Sequence, residues 1–297
     1  MTTRSRPRRS ALYVPGDNPR VLDKAKKLPA DVLIFDLEDA VGPEAKASAR
    51  KRVCELIDSG AYDPRELVVR INGLGTDWHG DDLRAVASSR AHGILIPKVN
   101  SAAEVRLLAD ALGAAGAPEH LQLWVMVETP AAFLHAEEIA AASKRLDVLV
   151  IGTNDLINDI HALHVPGRSP IMAALSLAVL AAKSAGKTIL DGVFNSIEDD
   201  AGFANEARQG RAMGFDGKTV IHPSQLAPAN AAFAPSRPEV DRARAIITAY
   251  DKAREAGESV LVVDGRMVEG LHVRDAHRIL RLHELATEID CATPSSV

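Results

Sequence analysis

The chain has 297 residues, of which 46% are hydrophobic and 25% are charged, as in an ordinary soluble globular protein. Its net charge of −5 gives no general attraction for nucleic acids or anionic membranes. Cys54 and Cys291 fit neither a disulfide framework nor a zinc site, which indicates a reducing compartment. The longest apolar run, Ile171 to Ala182, is too short to span a membrane. We therefore expect a cytoplasmic protein that binds neither nucleic acid nor membrane.

Positive charge is concentrated only at the start of the chain, in Arg4, Arg6, Arg8 and Arg9. No apolar segment of a signal peptide and no long amphipathic stretch follows. We expect residues 1–9 to form a disordered basic tail. A nucleic-acid-binding arm or part of a transit signal is the alternative.

Eight short apolar runs then alternate with longer segments of helical periodicity. Most of these runs are continuously apolar, as in strands that are covered on both faces. Eight rounds of strand and helix predict an α/β fold, a parallel (β/α)8 TIM barrel over residues 10–232. A doubly wound open sheet is the alternative, because it shows the same alternation. The predicted strands are Ala11–Val14, Val32–Asp36, Leu67–Ile71, Gly93–Pro97, Leu123–Glu128, Val148–Ile151, Thr188–Asp191 and Gly217–Ile221.

Helix boundaries are marked by proline, by capping residues and by glycine. Ser101, with Glu104 three residues later, has the capping-box spacing, and Gly214 is the expected helix end. Ser196 is the expected N-cap of the last long barrel helix. Both ends can be predicted for three helices of the barrel, Pro19–Leu28, Pro43–Asp58 and Ile197–Met213.

The pattern changes after the eighth strand. A proline-rich break at residues 233–238 precedes a predicted helix, Glu239–Ala256. A short strand, Val260–Val263, a turn, Gly265–Gly270, and a last helix, Val273–Thr287, follow. We interpret residues 233–290 as a helical lid or oligomerisation segment and residues 291–297 as a disordered tail.

Charged residues follow several of the predicted strands. In a barrel of this type, the functional groups lie at the carboxyl ends of the strands and in the loops that follow. The sequence therefore predicts an acidic rim that also carries one arginine and one lysine. These residues are Asp36, Glu38, Asp39, Arg70, Lys98, Glu128, Asp155 and Asp191.

Two acids of this rim suggest a metal site. Glu128 ends an uncharged strand, and burying its carboxylate without a compensating cation would be costly. Asp155 follows the next strand, and two carboxylates completed by water and substrate oxygens are a usual Mg²⁺ site. In the alternative interpretation, either acid pairs with Arg70 or Lys98 or caps a helix.

Arg70 is the candidate for binding the substrate. Its planar guanidinium can donate two parallel hydrogen bonds to a carboxylate or stabilise a developing oxyanion. A structural salt bridge to Glu38 or Asp39 is the alternative, and it is compatible with the functional role.

These motifs occur together in a known family. The chain resembles the CoA-ester lyases that include the citrate lyase beta subunit, malyl-CoA lyase and citramalyl-CoA lyase. The likeness extends from about residue 11 to residue 285, in the order of the family's motifs. It is carried by Leu12–Asp17, Asp36–Val41, Val69–Gly73, Ile96–Val99, Val127–Pro130, Gly152–Leu156, Asp191–Phe194, Gly214–Pro223, Phe233, Pro235, Ser236 and Gly265–Glu269.

The resemblance implies a role for each matching residue of the barrel. Glu128 and Asp155 would hold Mg²⁺, Arg70 would contact the substrate, and Glu38 with Asp39 would order metal-bound water. The loop that carries Tyr13 and Pro15, together with Lys24, would bind the phosphate-bearing CoA.

The segment after the barrel also has an implied role. In the family it reaches over the active site of a neighbouring subunit in a homotrimer or larger assembly such as a hexamer. It carries an acid/base group there, and Glu269 is the matching residue.

The implied reaction is Mg²⁺-dependent cleavage or formation of a 3-hydroxyacyl-CoA, such as malyl-CoA or citramalyl-CoA. The fragments are a 2-oxo acid and an acyl-CoA, related by retro-Claisen chemistry. Three alternatives remain: a hydroxyacyl-CoA thioesterase, a metal-dependent 2-oxo acid aldolase without CoA, and a catalytically altered subunit that acts with an acyl-carrier partner.

The sequence departs from the family pattern at three places. Glu269 stands where the lid acid is usually aspartate, and Asn154 stands where an acid often precedes the metal-binding aspartate. The run from Ala173 to Ser176 replaces a tyrosine-alanine-arginine-serine run. None of these departures affects the two proposed metal ligands.

Overall fold

The computed structural model describes residues 6–256, 261–263 and 266–292. It divides into two compact units, one formed by Arg8–Phe233 and a second that contains the described residues from Ala234 on. Among the described residues, no helix has both the length and the apolar character that crossing a membrane requires.

Eight parallel strands close into a barrel in chain order, and β1 pairs with both β2 and β8. This closure confirms the predicted TIM barrel and excludes the open sheet. The predicted strand bounds differ from the observed bounds by no more than two residues. The strands are β1 Ser10–Pro15, β2 Val32–Asp36, β3 Glu66–Arg70, β4 Gly93–Ile96, β5 Gln122–Val127, β6 Leu146–Ile151, β7 Thr188–Asp191 and β8 Gly217–Val220.

Helices follow the strands and cover the outside of the barrel. Short 3-10 turns lie at Pro43–Ala45, Pro166–Ile171 and Pro223–Gln225. The α-helices of this unit are α1 Pro19–Ala25, α2 Lys46–Asp58, α3 His79–Ala87, α4 Ala102–Ala114, α5 Pro130–Leu134, α6 Ala136–Ala141, α7 Thr153–Asp159, α8 Met172–Ser184, α9 Asp200–Met213 and α10 Leu226–Phe233.

The helix boundaries test the predicted caps. Ser101 accepts a hydrogen bond from the Glu104 N–H at 3.2 Å, which confirms the predicted N-cap of α4. Gly214 ends α9 with a φ of 103°, a left-handed conformation that favours glycine. The predicted start of α9 was wrong, since Asp199 accepts from the Gly202 N–H and caps the helix in place of Ser196.

The core has two layers. The larger layer lies between the strands and the surrounding helices and is built from alternating strand residues such as Leu33, Phe35 and Val69. The smaller layer fills the barrel interior with the strand residues that point the other way, such as Ile34 and Trp124. The strands are therefore buried on both faces, which explains their continuously apolar sequences.

Arg8 and Arg9 belong to the barrel unit, which corrects the predicted extent of the basic tail. Arg8 donates to both carboxylate oxygens of Glu66, at 2.7 and 2.8 Å, and to Asp147 at 2.6 Å. Arg9, which is almost completely buried, pairs with Asp31 at 2.8 Å. These buried ion pairs hold the two arginines at the amino-terminal end of the barrel. Residues 1–5 of the predicted tail lie outside the described residues.

The second unit consists of two long helices and a small antiparallel hairpin, β9 paired with β10. The helices pack through Ala243, Ile246, Val273 and Ala276. This packing agrees with the predicted helical segment; its role as a lid or an oligomerisation segment stays a prediction. The elements are α11 Arg237–Ala256, β9 Leu261–Val263, β10 Arg266–Val268 and α12 Gly270–Ala292.

Three expectations for this unit were wrong. The predicted turn between residues 265 and 270 contains a strand, β10, since Arg266–Val268 pairs with β9. The last helix begins at Gly270 and extends to Ala292, so it is longer than predicted and includes the first two residues of the expected disordered tail. Residue 260 of the predicted strand and residues 293–297 of the predicted tail lie outside the described residues.

Candidate active site

A cavity of about 370 Å³ opens at the carboxyl ends of the barrel strands. One part of its lining is charged and contains Asp36, Asp39, Arg70 and Asp155. The other part is apolar and includes Met126, Ile151, Val193 and Ile221. This combination suits a small ligand that has both carboxylate and hydrocarbon groups.

Arg70, at the end of β3, is fixed by Asp36, at the end of β2. Its Nε and Nη2 atoms donate to the two carboxylate oxygens of Asp36 at 2.8 and 2.6 Å. The guanidinium also lies over the Tyr13 ring, 5.0 Å from the centroid. Burial alone would lower the pKa of Arg70, but the hydrogen bonds to Asp36 and the surrounding negative charge raise it. Arg70 therefore stays cationic and keeps its orientation.

The Nη1 atom of Arg70 contacts the turn that follows β2. It lies 2.9 Å from Glu38 Oε2 and 3.3 Å from Asp39 Oδ2. The expected salt bridge to these residues is therefore present, in addition to the pairing with Asp36.

Glu38 is mostly buried, whereas the Asp39 side chain is 72% exposed. The pKa of Glu38 is raised to about 7, chiefly by burial. The positive charge of Arg70 opposes this shift, and the negative charges of Asp39 and Asp36 contribute to it. Glu38 can therefore accept or release a proton near neutral pH.

Glu128 follows β5 and is only 2% exposed. Its Oε1 atom accepts a hydrogen bond of 2.7 Å from the backbone N–H of Lys98, a residue with a φ of 54°. The pKa of Glu128 is raised to about 8, first by burial and then by the nearby charge of Asp155, while the hydrogen bond from Lys98 opposes the shift.

Asp155 lies in the first turn of α7, and its side chain is 42% exposed. Lys98 contacts both acids, since its Nζ atom is 3.9 Å from Asp155 Oδ1. In the described ranges, no cationic side chain lies within 4.0 Å of Glu128. Two neighbouring carboxylates that repel each other, one of them buried, are a donor set that fits a divalent cation with oxygen ligands.

The described part of the chain has no group of three or more histidine, cysteine, aspartate or glutamate residues that could hold a metal ion. Mg²⁺ commonly uses one or two carboxylates and takes its other ligands from water and substrate. Glu128 and Asp155 match that pattern.

Other predicted site residues fall in three places. Tyr13 and Pro15 line the cavity. Lys24 is exposed on α1 and is not among the lining residues. Glu269 lies in the C-terminal unit between β10 and α12, where it is exposed and its N–H donates to His272 Nδ1 at 2.9 Å. The structure thus brings the barrel residues together, with the exception of Lys24.

Two residues of the site, Asp36 and Asn154, had no role assigned to them from the sequence. Asp36 was named only as part of the rim, although it is the main partner of Arg70. Its signal was the strand register, since Asp36 and Arg70 are direct neighbours in the β2–β3 pair. Asn154 also lines the cavity, and its amide exchanges hydrogen bonds of 3.2 and 2.8 Å with the amide of Asn195.

Residues 9–223 match the model of a family described as HpcH/HpaI aldolase/citrate lyase. The chain belongs to this family.

Two relatives from Cereibacter sphaeroides illustrate the range of activities in the family. The chain is 45% identical to a (3S)-malyl-CoA thioesterase over 94% of this chain and 96% of the relative. It is 36% identical to an L-malyl-CoA/beta-methylmalyl-CoA lyase, over 95% of this chain and 96% of the relative.

A solved structure has the same fold. It is the protein CitE from Mycobacterium tuberculosis in complex with magnesium, acetoacetate and coenzyme A. The TM-score is 0.74 with 31% identity, and the match covers 95% of this chain and 100% of the other.

Proposed function

We propose that this protein is a magnesium-dependent enzyme that cleaves or forms a short 3-hydroxyacyl-CoA, such as malyl-CoA or citramalyl-CoA. The fragments are a 2-oxo acid and an acyl-CoA. The observation that carries the proposal is the buried carboxylate of Glu128, which lies beside Asp155 and has no cationic side chain within ion-pair distance among the described residues. The complex of the related CitE protein with magnesium and coenzyme A supports both the metal and the class of substrate.

Each residue has a role in this reaction. Glu128 and Asp155 would hold Mg²⁺, which supplies a Lewis acid and a template for two oxygens of the 2-oxo acid. Arg70 would stabilise the oxygen on which negative charge builds. Glu38, whose pKa lies near neutrality, would accept the proton of the 3-hydroxyl group.

As the hydroxyl loses its proton, the carbon–carbon bond next to it breaks, and its electron pair passes to the thioester fragment as an enolate. A second acid then protonates the enolate carbon, and Glu269 is the proposed donor. The synthetic direction reverses these steps.

Thioester hydrolysis is the second candidate function. It is favoured by one specific observation, the 45% identity to a (3S)-malyl-CoA thioesterase, compared with 36% for the malyl-CoA lyase. Hydrolysis yields a hydroxy acid and free CoA, whereas carbon–carbon cleavage yields a 2-oxo acid and an acyl-CoA. Product analysis therefore separates the two reactions.

The C-terminal unit is proposed to pack on a second copy of the chain in a homotrimer or hexamer and to cover its active site. Val262 and Met267 are cross-strand neighbours in the β9–β10 hairpin, and they are 59% and 61% exposed. Two such apolar side chains beside each other support docking of this hairpin. Light scattering after size-exclusion chromatography tests the subunit number.

The direct test is a product assay on a panel of short hydroxyacyl-CoA thioesters, with and without EDTA. We expect 2-oxo acid and acyl-CoA only when Mg²⁺ is present, and loss of turnover in Glu128→Gln. The matched control is Glu138→Gln, because Glu138 is exposed on α6. Turnover that survives both chelation and Glu128→Gln contradicts the metal-dependent reaction.

Two further arms address the remaining alternatives. Free 2-oxo acids test for an aldolase without CoA, and CoA should then fail to protect the fold from heat. The same acyl groups on an acyl-carrier protein test for a subunit that depends on such a partner.

A further inference from the structure

Lys46 has an unusual position for a lysine. It lies at the start of α2, directly after the 3-10 turn Pro43–Ala45, and it is only 6% exposed. Positive charge is unfavourable near the amino-terminal end of a helix, where the peptide dipoles already leave partial positive charge. Burying an ammonium group adds a desolvation cost. A lysine at such an unfavourable position indicates a role beyond helix formation.

The contacts of the ammonium group show what it does. Its Nζ atom donates hydrogen bonds to the carbonyl oxygens of Leu37, at 2.8 Å, and of Glu38, at 2.7 Å. It also lies 5.2 Å from the centroid of the Trp78 ring. Within residues 6–256, 261–263 and 266–292, no carboxylate is within 4.0 Å of Lys46 Nζ. The cation is therefore held by backbone oxygens and by an aromatic face.

These two carbonyl groups belong to the turn that carries Glu38. Asp36 fixes the same turn from the other side, because its carboxylate accepts the N–H groups of Glu38 at 2.9 Å and of Ala40 at 3.2 Å. The backbone of Glu38 is thus held at both its N–H and its C=O. With the backbone fixed, the Glu38 carboxylate stays next to Arg70.

A purely structural role does not require the charge. A methionine of similar length would fill the same space without the cost of a buried ammonium group. The two charge-assisted hydrogen bonds are what methionine lacks, and they act on the turn with the candidate proton acceptor.

We infer that Lys46 is a positioning residue for the proposed reaction: its ammonium group fixes the backbone of Glu38 and so keeps that carboxylate beside Arg70. The inference rests on the proposed function. Lys46 itself touches neither the substrate nor the metal.

The test compares Lys46→Met with Lys51→Met, because Lys51 lies on the same helix with its side chain 78% exposed. A displacement of about 1 Å in a catalytic group costs up to about a hundredfold in rate, so we expect Lys46→Met to lower kcat by about 10- to 100-fold. KM should change by less than about threefold, because the residues that hold the substrate are intact. Lys51→Met should keep kcat within about twofold of the wild type.

A double-mutant cycle separates positioning from general damage. If Lys46 acts through Glu38, Lys46→Met should cause less than about a twofold further loss in a Glu38→Gln background. The inference is overturned if Lys46→Met lowers kcat by the same factor in Glu38→Gln as in the wild type. It is also overturned if the kcat of Lys46→Met alone stays within about twofold of the wild type. If Lys46→Met does not fold, Lys46→Gln replaces it in the same comparison. This variant keeps an N–H donor and loses the charge.

Hydrogen–deuterium exchange gives a readout that does not depend on turnover. Lys46→Met should speed exchange in a peptide covering residues 36–42, while Lys51→Met leaves it unchanged; equal exchange in both variants overturns the inference. If the wild-type protein turns over no thioester, the proposed function fails, and the exchange comparison still decides whether Lys46 holds the turn.

Discussion

Gly152 provides the space for the carboxylate of Glu128. A Cβ atom on Gly152 would overlap both Cβ and Oε2 of Glu128. The φ of Gly152 is −102°, which other residues adopt readily, so space and not backbone conformation requires glycine here. The loop after β6 therefore leaves room for one acid and, three residues later, supplies the other, Asp155.

Gly152→Ala should displace Glu128 and weaken binding of Mg²⁺. We expect the dissociation constant for Mg²⁺, measured by titration calorimetry, to rise by at least about tenfold, equivalent to about 1.4 kcal/mol. Gly113→Ala is the control, since an added Cβ at Gly113 in α4 meets no atom within 4 Å. Equal Mg²⁺ binding in the two variants contradicts the assignment of Glu128 as a ligand.

The raised pKa of Glu128 predicts how stability depends on pH. Its folded-state pKa of about 8 lies above its ordinary value of 4.5, so the metal-free protein is stabilised by the protonated acid. That contribution is complete below the ordinary value and is lost as the pH rises through about 8. The melting temperature of the metal-free protein should therefore fall as the pH rises from about 4.5 to about 8. The melting temperature of Glu128→Gln should fall less over the same pH interval.

Mg²⁺ should have the opposite pH dependence, because it binds the ionised carboxylates. The increase in melting temperature on adding Mg²⁺ should be larger at about pH 8.5 than at about pH 6. Thermal denaturation with Mg²⁺ and with EDTA at both pH values measures the difference. A stabilisation that shrinks as the pH rises is the result that speaks against a carboxylate-bound cation.

Arg70→Lys should damage catalysis although it keeps the charge. Lysine has no planar fork, so it cannot reproduce both hydrogen bonds to Asp36 and still present a donor to the substrate. Loss of one donor to a developing oxyanion lowers kcat by about 100- to 1000-fold, and we expect a decrease of that order. Arg106→Lys, at an exposed position on α4, is the matched control in steady-state assays.

The barrel could be predicted because its strands carry the signal by themselves. Runs such as residues 32–35 in β2 are apolar at every position, as required when one face packs inside the barrel and the other under helices. The start of α9 could not be predicted in the same way. Ser196 and Asp199 are both good N-cap residues, and only the folded loop decides which of them accepts a helix N–H.

The site was predicted as a set of residues and not as a set of contacts. Glu128, Asp155 and Arg70 follow from the rule that barrel chemistry lies at strand ends. The pairing of Arg70 with Asp36 depends on strand register, and the contact of Lys46 with the turn after β2 depends on the path of that turn. Neither is visible in sequence spacing alone.

The β9–β10 hairpin was predicted only in part. A short strand was expected at Val260–Val263, where β9 lies, but the residues of β10 were assigned to the turn Gly265–Gly270. β10 has only three residues, a length that carries too little alternation to be recognised, and its pairing with β9 is what identifies it as a strand.

Glu269 provides the last prediction, which concerns the proposed second acid. Glu269→Gln cannot donate a proton to the enolate carbon, so kcat for carbon–carbon cleavage should fall by about 100-fold or more. The Mg²⁺-dependent rise in melting temperature should persist, because the proposed ligands Glu128 and Asp155 belong to the barrel unit. Glu269→Asp keeps the acid but shortens its reach by about 1 Å, so it should lose less activity than Glu269→Gln.

The control for this position is Glu288→Gln, an exposed glutamate on α12. Single-turnover assays with product identification measure all three variants. The acid/base role requires that Glu269→Gln loses cleavage while Glu288→Gln retains it. Equal cleavage rates in these two variants would exclude Glu269 and move the protonation step to a residue of the barrel rim, where Glu38 already has a pKa of about 7.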